Sequence, residues 1–423
     1  MFTPEMFLTS TLRNHPRGGS VAKILAYTFN AVEPGAAVKR YLHENPLPSN
    51  KRFFAFGLGK AASAMTDTLA DSIHLSDALI ITKHASRLTH ITASVIEGDH
   101  PVPGDSSLQA GRATVDFVSR LAADDLLICL ISGGGSSLMA TPVISLNELQ
   151  SLTSTLLASG AHIGEINTIR RHLDRLKGGG LAQEVNGAQI ISLILSDVVG
   201  DSIEAIASGP TAPDPTTRQD AIAILRKYKI ENLIDKKFRE TAKPNDGVFK
   251  RVQNRIIASN FTALKAAQMQ AELDGFSTKI ITDKLQGEAK EVGHEIAILL
   301  KEELGTRKRP ICLLAGGEAT VTIKGNGKGG RNQELALGAA NILREMKDVM
   351  LISLATDGED GPTDAAGAVA TNETASRAEK LGLSMTDYLS RNDAYTFFDK
   401  LGDLIKTGPS GTNVNDLVLC LGL

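Results

Sequence analysis

Short apolar runs recur along this chain, and each is followed at once by a loop rich in Gly, Asp or Lys. The runs have the length of buried strands and lack the polar alternation of half-exposed ones. Five such segments lie at 53–65, 126–140, 191–201, 311–321 and 351–361. Stretches with the helical spacing of apolar residues lie between them. This alternation predicts an α/β fold built on largely parallel sheets flanked by helices.

The apolar run at 126–131 leads into the most glycine-rich loop of the five. The loop consists of Ser132, Gly133, Gly134, Gly135, Ser136 and Ser137, and a helix is predicted to open at about residue 138. Glycines let successive backbone N–H groups face one point, and a helix N-terminus favours an anion. The loop has neither the closing GKS or GKT of a Walker A motif nor the full GxGxxG spacing. It is interpreted either as a cradle for nucleotide phosphates or as a tight turn without a ligand.

The chain length and one change in composition predict two domains. A chain of 423 residues exceeds one ordinary core. Pro, Lys and Asp dominate the stretch 211–246, which places the boundary near residue 240. We predict a Rossmann-like α/β domain at 1–240 and a second α/β domain at 241–423. Residues 1–45 are predicted to be helical, and their packing on the second domain is an open alternative. The site is expected in the cleft between the domains, beyond the carboxyl ends of the strands.

The composition narrows the classes of partner. A net charge of -3 and an aromatic content of 4% argue against nucleic acid as a ligand. No stretch approaches the ~20 apolar residues of a membrane span, and the first residues lack the pattern of a signal peptide. The three cysteines lie inside apolar runs, as buried cysteines do in reducing compartments. We expect a cytoplasmic protein that binds neither membranes nor nucleic acids.

Two basic residues occupy positions that suit an anionic ligand. Lys60 follows a predicted strand and the sequence Gly-Leu-Gly, where a cation at a helix start calls for an anionic partner. Arg331 follows two glycines and precedes a predicted helix, so its planar fork could pair with a carboxylate or a phosphate. The alternatives are a solvated lysine and a basic hairpin tip. The basic stretch 170–177 is interpreted as a solvated helix face.

Four carboxylates follow predicted strands beside glycines, and they are Asp197, Asp201, Asp357 and Asp360. Carboxylates in such loops can hold Mg²⁺ together with substrate phosphates, or orient an attacking hydroxyl. Each is equally suited to a turn or a helix cap. His100 lies in a loop stiffened by two prolines and is kept as a substrate-binding candidate. Together with the cations and the glycine loop, these residues make up the parts needed for phosphoryl transfer.

The motifs in their order resemble those of the glycerate 2-kinase family, whose C-terminal half is often called the MOFRL domain. The resemblance extends from about residue 57 to 418 and rests on GLGKAA, EGDHPVPG, LISGGGSSL, INTIRRHLDRLKGGGLA, LILSDVVGDSIEAIASGPT, AGGEATVTIKGNGKGGRNQE, ATDGEDGPTDAAGA and TGPSGTNVNDL. It implies a kinase that uses ATP to phosphorylate D-glycerate at its 2-hydroxyl, giving 2-phosphoglycerate. It also implies that Lys60, Asp197 and Arg331 line the active site.

Two other functions remain open at this stage. Some members of the family have carried the name hydroxypyruvate reductase. Hydride transfer calls for a dinucleotide site, in which an acidic residue about twenty positions after the glycine loop binds the ribose, and this chain has no clear candidate for that residue. A sensor of carboxylates or nucleotides is the non-enzymatic alternative, and it leaves the Lys, Arg and Asp set without a purpose. The expected partners are small molecules. The sequence leaves the oligomeric state open, with a homo-oligomer as one alternative.

Overall fold

The computed structural model describes residues 1–230 and 237–423, and its chain forms two compact units. Unit A comprises Pro34–Ile257, and unit B comprises Met1–Glu33 together with Ala258–Leu423. The division falls after residue 257, beyond the boundary predicted near residue 240, because the chain adds one more strand to the first sheet before leaving it. The first 33 residues belong to unit B, which agrees with the alternative that the N-terminal helices pack on the second domain and not with one continuous domain at 1–240.

The strands of unit A form one six-stranded sheet. They are β1 (Phe53–Leu58), β2 (Asp77–Thr82), β3 (Ser94–Glu97), β4 (Leu126–Ile131), β5 (Gln189–Leu195) and β6 (Val252–Ala258). Their order is β3-β2-β1-β4-β5-β6, and each described pairing from β3 to β5 is parallel. All six residues of β4 are buried, as its uninterrupted apolar sequence predicts. The carboxyl ends of β1, β2, β4 and β5 therefore meet along one edge of the sheet.

The strands of unit B form a second six-stranded sheet. They are β7 (Ser277–Leu285), β8 (Ile311–Gly317), β9 (Val349–Ala355), β10 (Gly367–Thr371), β11 (Leu404–Ile405) and β12 (Asp416–Gly422). The order is β11-β10-β9-β12-β8-β7. Among the described pairings of this sheet, only β7 with β8 is parallel. The last strand, β12, enters antiparallel between β8 and β9, and β10 is antiparallel to both β9 and β11. The α/β class is confirmed, but the prediction of a largely parallel second sheet is corrected to a mixed one.

Helices cover the sheets in both units. They are α1 (Ser10–Asn14), α2 (Gly18–Ala31), α3 (Pro34–Glu44), α4 (Ala62–Ser72), α5 (Asp105–Ser119), α6 (Gly135–Leu138), α7 (Leu146–Ala158), α8 (Ile163–His172), α9 (Gly180–Glu184), α10 (Arg218–Lys227), α11 (Asn260–Leu273), α12 (Ala289–Thr306), α13 (Arg331–Leu343), α14 (Thr374–Lys380), α15 (Met385–Ser390) and α16 (Ala394–Leu401). Among the described residues, none of these helices combines the length and the apolar character that crossing a bilayer requires.

The packing of the helices explains the assignment of the N-terminal segment. Phe2, Phe7 and Phe29 form an aromatic cluster in unit B, with ring centroids 5.0 to 6.2 Å apart. Helix α2 packs on α11 of the same unit. Phe7 and Phe29 are buried and Phe2 is half-buried, and their burial contributes several kcal/mol in total. The segment before Pro34 is therefore held in unit B by its own apolar residues.

Candidate active site

The glycine loop joins β4 to α6 at the carboxyl edge of the unit A sheet. Gly134 has φ +86° and stands at the N-cap of α6, a conformation that L-residues with a side chain rarely adopt. Helix α6 spans only four residues, and Met139 is already extended. The prediction of a helix opening at residue 138 is therefore wrong, since the helix closes there. So short a helix adds little dipole, and any attraction for an anion must come from the loop itself.

The backbone of this loop offers hydrogen-bond donors. Within the described residues, the N–H groups of Gly133, Gly134, Gly135 and Ser136 have no hydrogen-bond acceptor. The serine hydroxyls, in contrast, are engaged. Ser132 Oγ accepts the N–H of Ala61 at 3.0 Å, Ser136 Oγ lies 2.7 Å from Ser208 Oγ, and Ser137 Oγ donates to the carbonyl of Gly134 at 3.2 Å. The donors left for an anion are thus mainly backbone N–H groups.

The loop after β1 is bonded to the glycine loop. The N–H of Lys60 donates to the carbonyl of Gly133 at 3.0 Å. Gly59 has φ +121°, and a Cβ at this position would lie 2.4 Å from the carbonyl oxygen of Ser132. No side chain fits at that distance, so glycine is required there. The close approach fixes Lys60 beside the glycine loop.

His100 and Asp197 complete the group of predicted residues in unit A. A Cβ on Gly134 would lie 3.4 Å from Cδ2 of His100 and 3.4 Å from Cγ of Lys60. A Cβ on Gly133 would lie 1.8 Å from Oδ2 of Asp197. The loops after β1, β3, β4 and β5 thus bring these residues together, although they lie far apart in sequence. We call Lys60, His100, Gly133–Gly135, Ser136 and Asp197 the glycine-loop site.

Besides the carboxylate of Asp197, the glycine-loop site holds one lysine and one histidine. Lys60 is exposed, and its ammonium makes no ion pair with any residue of the described part of the chain. Burial lowers the pKa of His100 below its ordinary value of 6.5, and the charges of Lys60 and Lys83 lower it further. The imidazole is therefore neutral at pH 7. It can donate one hydrogen bond and accept another without adding charge.

The segment beside the loop has an unusual backbone that the sequence analysis did not single out. Ala207 and Ser208 have φ of +50° and +61° although neither is glycine. Such conformations carry strain and cluster at functional sites. A Cβ on Gly135 would lie 2.8 Å from that of Ala207, so the strained segment packs directly on the loop. Its motif, ASGPT, was the available signal.

Unit B holds a different arrangement around Arg331, the first residue of α13. Its Nε and Nη2 donate to the two oxygens of Asp416 at 2.5 and 3.0 Å, and its Nη1 lies 2.9 Å from Oε1 of Glu318. The side chain of Arg331 is 32% exposed, and that of Asp416 is 4% exposed. We call Arg331, Glu318, Asp360 and Asp416 the Arg331 cluster. Asp416 lies within the motif TGPSGTNVNDL but was not predicted as a site residue, and it is 85 positions from Arg331.

The pKa values in the Arg331 cluster reflect buried charge. Burial alone would lower the pKa of Arg331, but the hydrogen bonds and charges of Asp416 and Glu318 raise it above its ordinary value. Burial raises the pKa of Asp416, against the opposing effect of Arg331. Burial and the charge of Asp416 raise the pKa of Asp360 to about 7, although Asp360 accepts the N–H groups of Gln333 and Asn332. Asp360 thus caps α13.

Asp357 also lies in unit B, in the loop after β9. One carboxylate oxygen accepts the N–H of Glu359 at 3.1 Å, which is an ordinary turn for aspartate. Among the described residues there is no group of three His, Cys, Asp or Glu side chains arranged to hold a metal ion. A metal held only by protein ligands is therefore not supported in that part of the chain. A Mg²⁺ ion that keeps water and phosphate ligands needs fewer protein groups.

The basic stretch 170–177 differs from its prediction as a solvated face. Arg171 and His172 are 5% and 0% exposed, and Lys177 is 4% exposed. Arg171 Nε lies 3.0 Å from Asp214 Oδ2, and Lys177 Nζ lies 2.8 Å from Asp174 Oδ2. The pairing of Arg171 joins residues 43 positions apart, so the local charge run could not reveal it.

Comparison with known proteins agrees with these observations. A model described as a domain of unknown function (DUF4147) matches residues 20–243, and the MOFRL family matches residues 311–416. A relative named D-glycerate 2-kinase, from Thermotoga maritima, is 40% identical over 94% of this chain and 97% of its own length. A crystal structure of glycerate kinase from the same organism superposes with a TM-score of 0.89 and 39% identity, over 96% of this chain and 99% of that one. An Agrobacterium vitis relative, 37% identical over 94% of each chain, is named provisionally as a hydroxypyruvate reductase.

Proposed function

Because this chain belongs to the glycerate kinase family, a family of phosphotransferases, we propose that it transfers the γ-phosphoryl group of ATP to the 2-hydroxyl of D-glycerate. The products are 2-phosphoglycerate and ADP. The observation that carries the proposal is the glycine-loop site of unit A, where donor N–H groups, Lys60 and Asp197 meet at one sheet edge. These are groups that bind phosphates and activate a hydroxyl.

The phosphates of ATP are assigned to the N–H groups of Gly133–Ser136, which lack acceptors in the described part of the chain. Gly134, where the nearest atoms to a Cβ would lie at 3.4 Å, leaves the backbone uncovered, so phosphate oxygens can reach it. Lys60 would neutralise the γ-phosphoryl group or the glycerate carboxylate as a point charge. The neutral imidazole of His100 would hydrogen-bond to the substrate. Each role uses a group whose charge or donor capacity is not consumed by an ion pair.

The 2-hydroxyl oxygen attacks the γ-phosphorus, and a new P–O bond forms. The bond from that phosphorus to the β–γ bridging oxygen breaks, and ADP leaves with the electron pair. The hydroxyl proton passes to a carboxylate, for which Asp197 is the candidate in unit A, because it lies against Gly133. Charge spreads over the phosphoryl oxygens in the transition state, where the N–H groups and Lys60 act.

Mg²⁺ is the metal that the family implies, and the donor chemistry of the site fits it. Mg²⁺ is bound in kinases through one or two carboxylates with phosphate and water oxygens. Asp197, beside the glycine loop, is the proposed carboxylate, and Asp357 of unit B stays a prediction from the sequence. When bound, the ion would neutralise charge on the phosphates.

The test is a kinase assay that identifies the phosphorylated oxygen. The protein is incubated with D-glycerate and Mg·ATP, and the product is fed to enolase without phosphoglycerate mutase. Immediate reaction is expected, because enolase consumes the 2-phosphate. A requirement for mutase would show that the 3-hydroxyl is phosphorylated and would overturn the assignment. L-Glycerate serves as the control for the enantiomer.

The reductase activity is the second candidate, and it rests on the provisional name of one relative. Incubation with hydroxypyruvate and NADH or NADPH tests it in the same preparation. We expect no oxidation of either nucleotide above the blank. Turnover comparable with that of the kinase assay would favour the reductase instead.

A further inference from the structure

Arg170, in the last turn of α8, differs from the basic residues around it. Arg171 pairs with Asp214, and Lys177 pairs with Asp174. Arg175 pairs with Glu184 at 3.0 Å. Within residues 1–230 and 237–423, the guanidinium of Arg170 has neither an ion pair nor a hydrogen bond. It is the unmatched charge of this stretch.

Arg170 lines a crevice together with the glycine loop. The crevice is bounded by Ser136 of that loop, by Pro103 from the loop of His100, and by Asp174 and Lys177. It has room for about one water-sized group. A single oxygen of a bound ligand therefore fits beside the guanidinium. The crevice adjoins Ser136, whose backbone N–H is one of the donors without an acceptor.

The carboxylate in the crevice does not compensate Arg170. Asp174 accepts hydrogen bonds from the Thr141 and Leu176 N–H groups at 2.8 and 2.9 Å, and from Lys177 Nζ at 2.8 Å. These donors use most of the hydrogen-bond-accepting capacity of the Asp174 carboxylate. Lys177 in turn donates to the carbonyl of Met139 at 2.9 Å. The net charge beside Ser136 is therefore positive, and it resides on Arg170.

The position of Arg170 costs the folded protein stability. Burial lowers the pKa of Arg170, which means that the charged form loses hydration without gaining a protein partner. The negative end of α8 recovers only part of this, because a helix dipole stabilises a nearby charge only weakly. An arginine placed at such a cost, beside donors that suit a phosphate, is the arrangement expected of a residue whose partner is a ligand.

We propose that Arg170 binds a phosphate oxygen of the nucleotide polyphosphate chain at the Ser136 end of the glycine loop. This deepens the proposed function and rests on it, since that function assigns the phosphates to the loop. Arg170 would be a further cation of the site, besides Lys60. Its planar guanidinium can donate to two oxygens, whereas a lysine ammonium acts as a point charge.

The test measures binding without catalysis. Inorganic tripolyphosphate is titrated calorimetrically into the wild-type protein, into Arg170→Met and into Arg175→Met. Methionine keeps the apolar stem and removes the charge, and Arg175 is a matched control because it is 51% exposed and paired with Glu184. Arg170→Met is expected to weaken binding about 10- to 100-fold, as for a lost charge-assisted hydrogen bond. Arg175→Met is expected to bind like the wild type, and Arg170→Lys to recover only part of the affinity.

Thermal stability separates this role from a structural one. Arg170→Met is expected to melt at the wild-type temperature or above it, because a desolvated charge without a partner is removed. A lower melting temperature with unchanged tripolyphosphate binding would overturn the proposal in favour of a structural arginine. A wild-type protein that does not bind tripolyphosphate would overturn it too. Arg170-dependent binding in a protein that fails to phosphorylate D-glycerate would refute the proposed kinase reaction alone.

Discussion

The glycine-loop site of unit A and the Arg331 cluster of unit B each contain a cation that the sequence predicts to be functional. The two sites differ in whether the protein itself neutralises the charge of that cation. Lys60 is exposed, and no carboxylate of the described chain pairs with it. Arg331 holds the buried carboxylate of Asp416 with two hydrogen bonds and also contacts Glu318. The first cation is available to a ligand. The second is already neutralised by the protein.

Because of this difference, substitutions of Lys60 should affect mainly activity, whereas substitutions of Arg331 should also affect stability. An exposed cation contributes little to folding, so Lys60 can be changed with few consequences for the rest of unit A. Removing Arg331 would leave Asp416, only 4% exposed, without its counter-charge, which is costly. If Arg331 contacts substrate, it does so with its remaining donor capacity or after releasing one acid. Variants at the two sites should therefore have different signatures.

The largest effect is expected for Lys60→Ala. We predict that kcat/KM for D-glycerate phosphorylation falls by about 10³, by analogy with the loss of a charge-neutralising cation in phosphoryl transfer. The melting temperature should stay within about one degree of the wild type. The chain has no Trp, so melting is followed by calorimetry or circular dichroism. The control is Lys250→Ala, which removes another exposed lysine of unit A. A large fall in melting temperature would instead indicate a structural lysine.

The next largest effect is expected for a substitution in the glycine loop. A Cβ at Gly133 would lie 1.8 Å from Asp197 Oδ2, whereas the nearest atoms to a Cβ at Gly134 lie at 3.4 Å. Gly133→Ala must therefore displace Asp197, and we predict a loss of about 10² in kcat, the scale expected for misplacing a reacting group. Gly134→Ala should reduce stability by about 1–2 kcal/mol for its positive φ and weaken ATP binding, because its Cβ would cover the backbone N–H groups, with a smaller loss in kcat. Equal kinetic losses in the two variants would contradict the assigned position of Asp197.

The contrast also shows what sequence can predict. The strands β1, β4, β5, β8 and β9 lie where apolar runs precede Gly, Asp or Lys loops, because burial on both faces requires that composition locally. Parallel strands then bring their exit loops to one edge, so Lys60, Gly133 and Asp197 meet as the pattern predicts. Features that depend on one strand and the loop after it could therefore be predicted from the sequence.

Features that depend on residues far apart in the sequence could not be predicted. Asp416 meets Arg331 only because β12 inserts antiparallel between β8 and β9, and nothing in the local sequence of Arg331 announces that insertion. The same holds for Arg171, which is neutralised by Asp214. The end of the short helix α6 was not predicted, because the apolar residues 138–140 are equally compatible with a helix and with an extended segment. Pairing and register decide these cases, and both depend on the whole sheet.

A smaller effect on activity, combined with a clear effect on stability, is predicted for Arg331→Ala. Since Asp416 would lose its partner, we expect the melting temperature of unit B to fall by several degrees, corresponding to about 1–3 kcal/mol. The double variant Arg331→Ala/Asp416→Asn should recover part of the loss, because no buried charge is then unpaired. If the single variant melts like the wild type, the pair carries no stability.

The smallest expected effect concerns the pH dependence of stability in the Arg331 cluster. The pKa of Asp360 is raised from 3.8 to about 7 by burial and by the charge of Asp416. Between about pH 4 and pH 7 the folded protein thus retains a proton that the unfolded chain has released. Its contribution to stability is greatest below pH 4 and is lost as the pH rises towards 7.

Asp360→Asn should remove this contribution, so that the melting temperature falls less steeply from pH 4.5 to pH 7.5 than in the wild type. The asparagine oxygen can still accept one N–H at the start of α13, which limits the loss of the cap. Asp364→Asn is the control of opposite sign. The pKa of Asp364 is lowered by a hydrogen bond from Tyr395, against a smaller effect of burial, and by Lys406. Its removal should therefore not flatten the profile over this range. An unchanged profile in Asp360→Asn would mean that Asp360 is ionised throughout and that its bonds to Asn332 and Gln333 outweigh its burial.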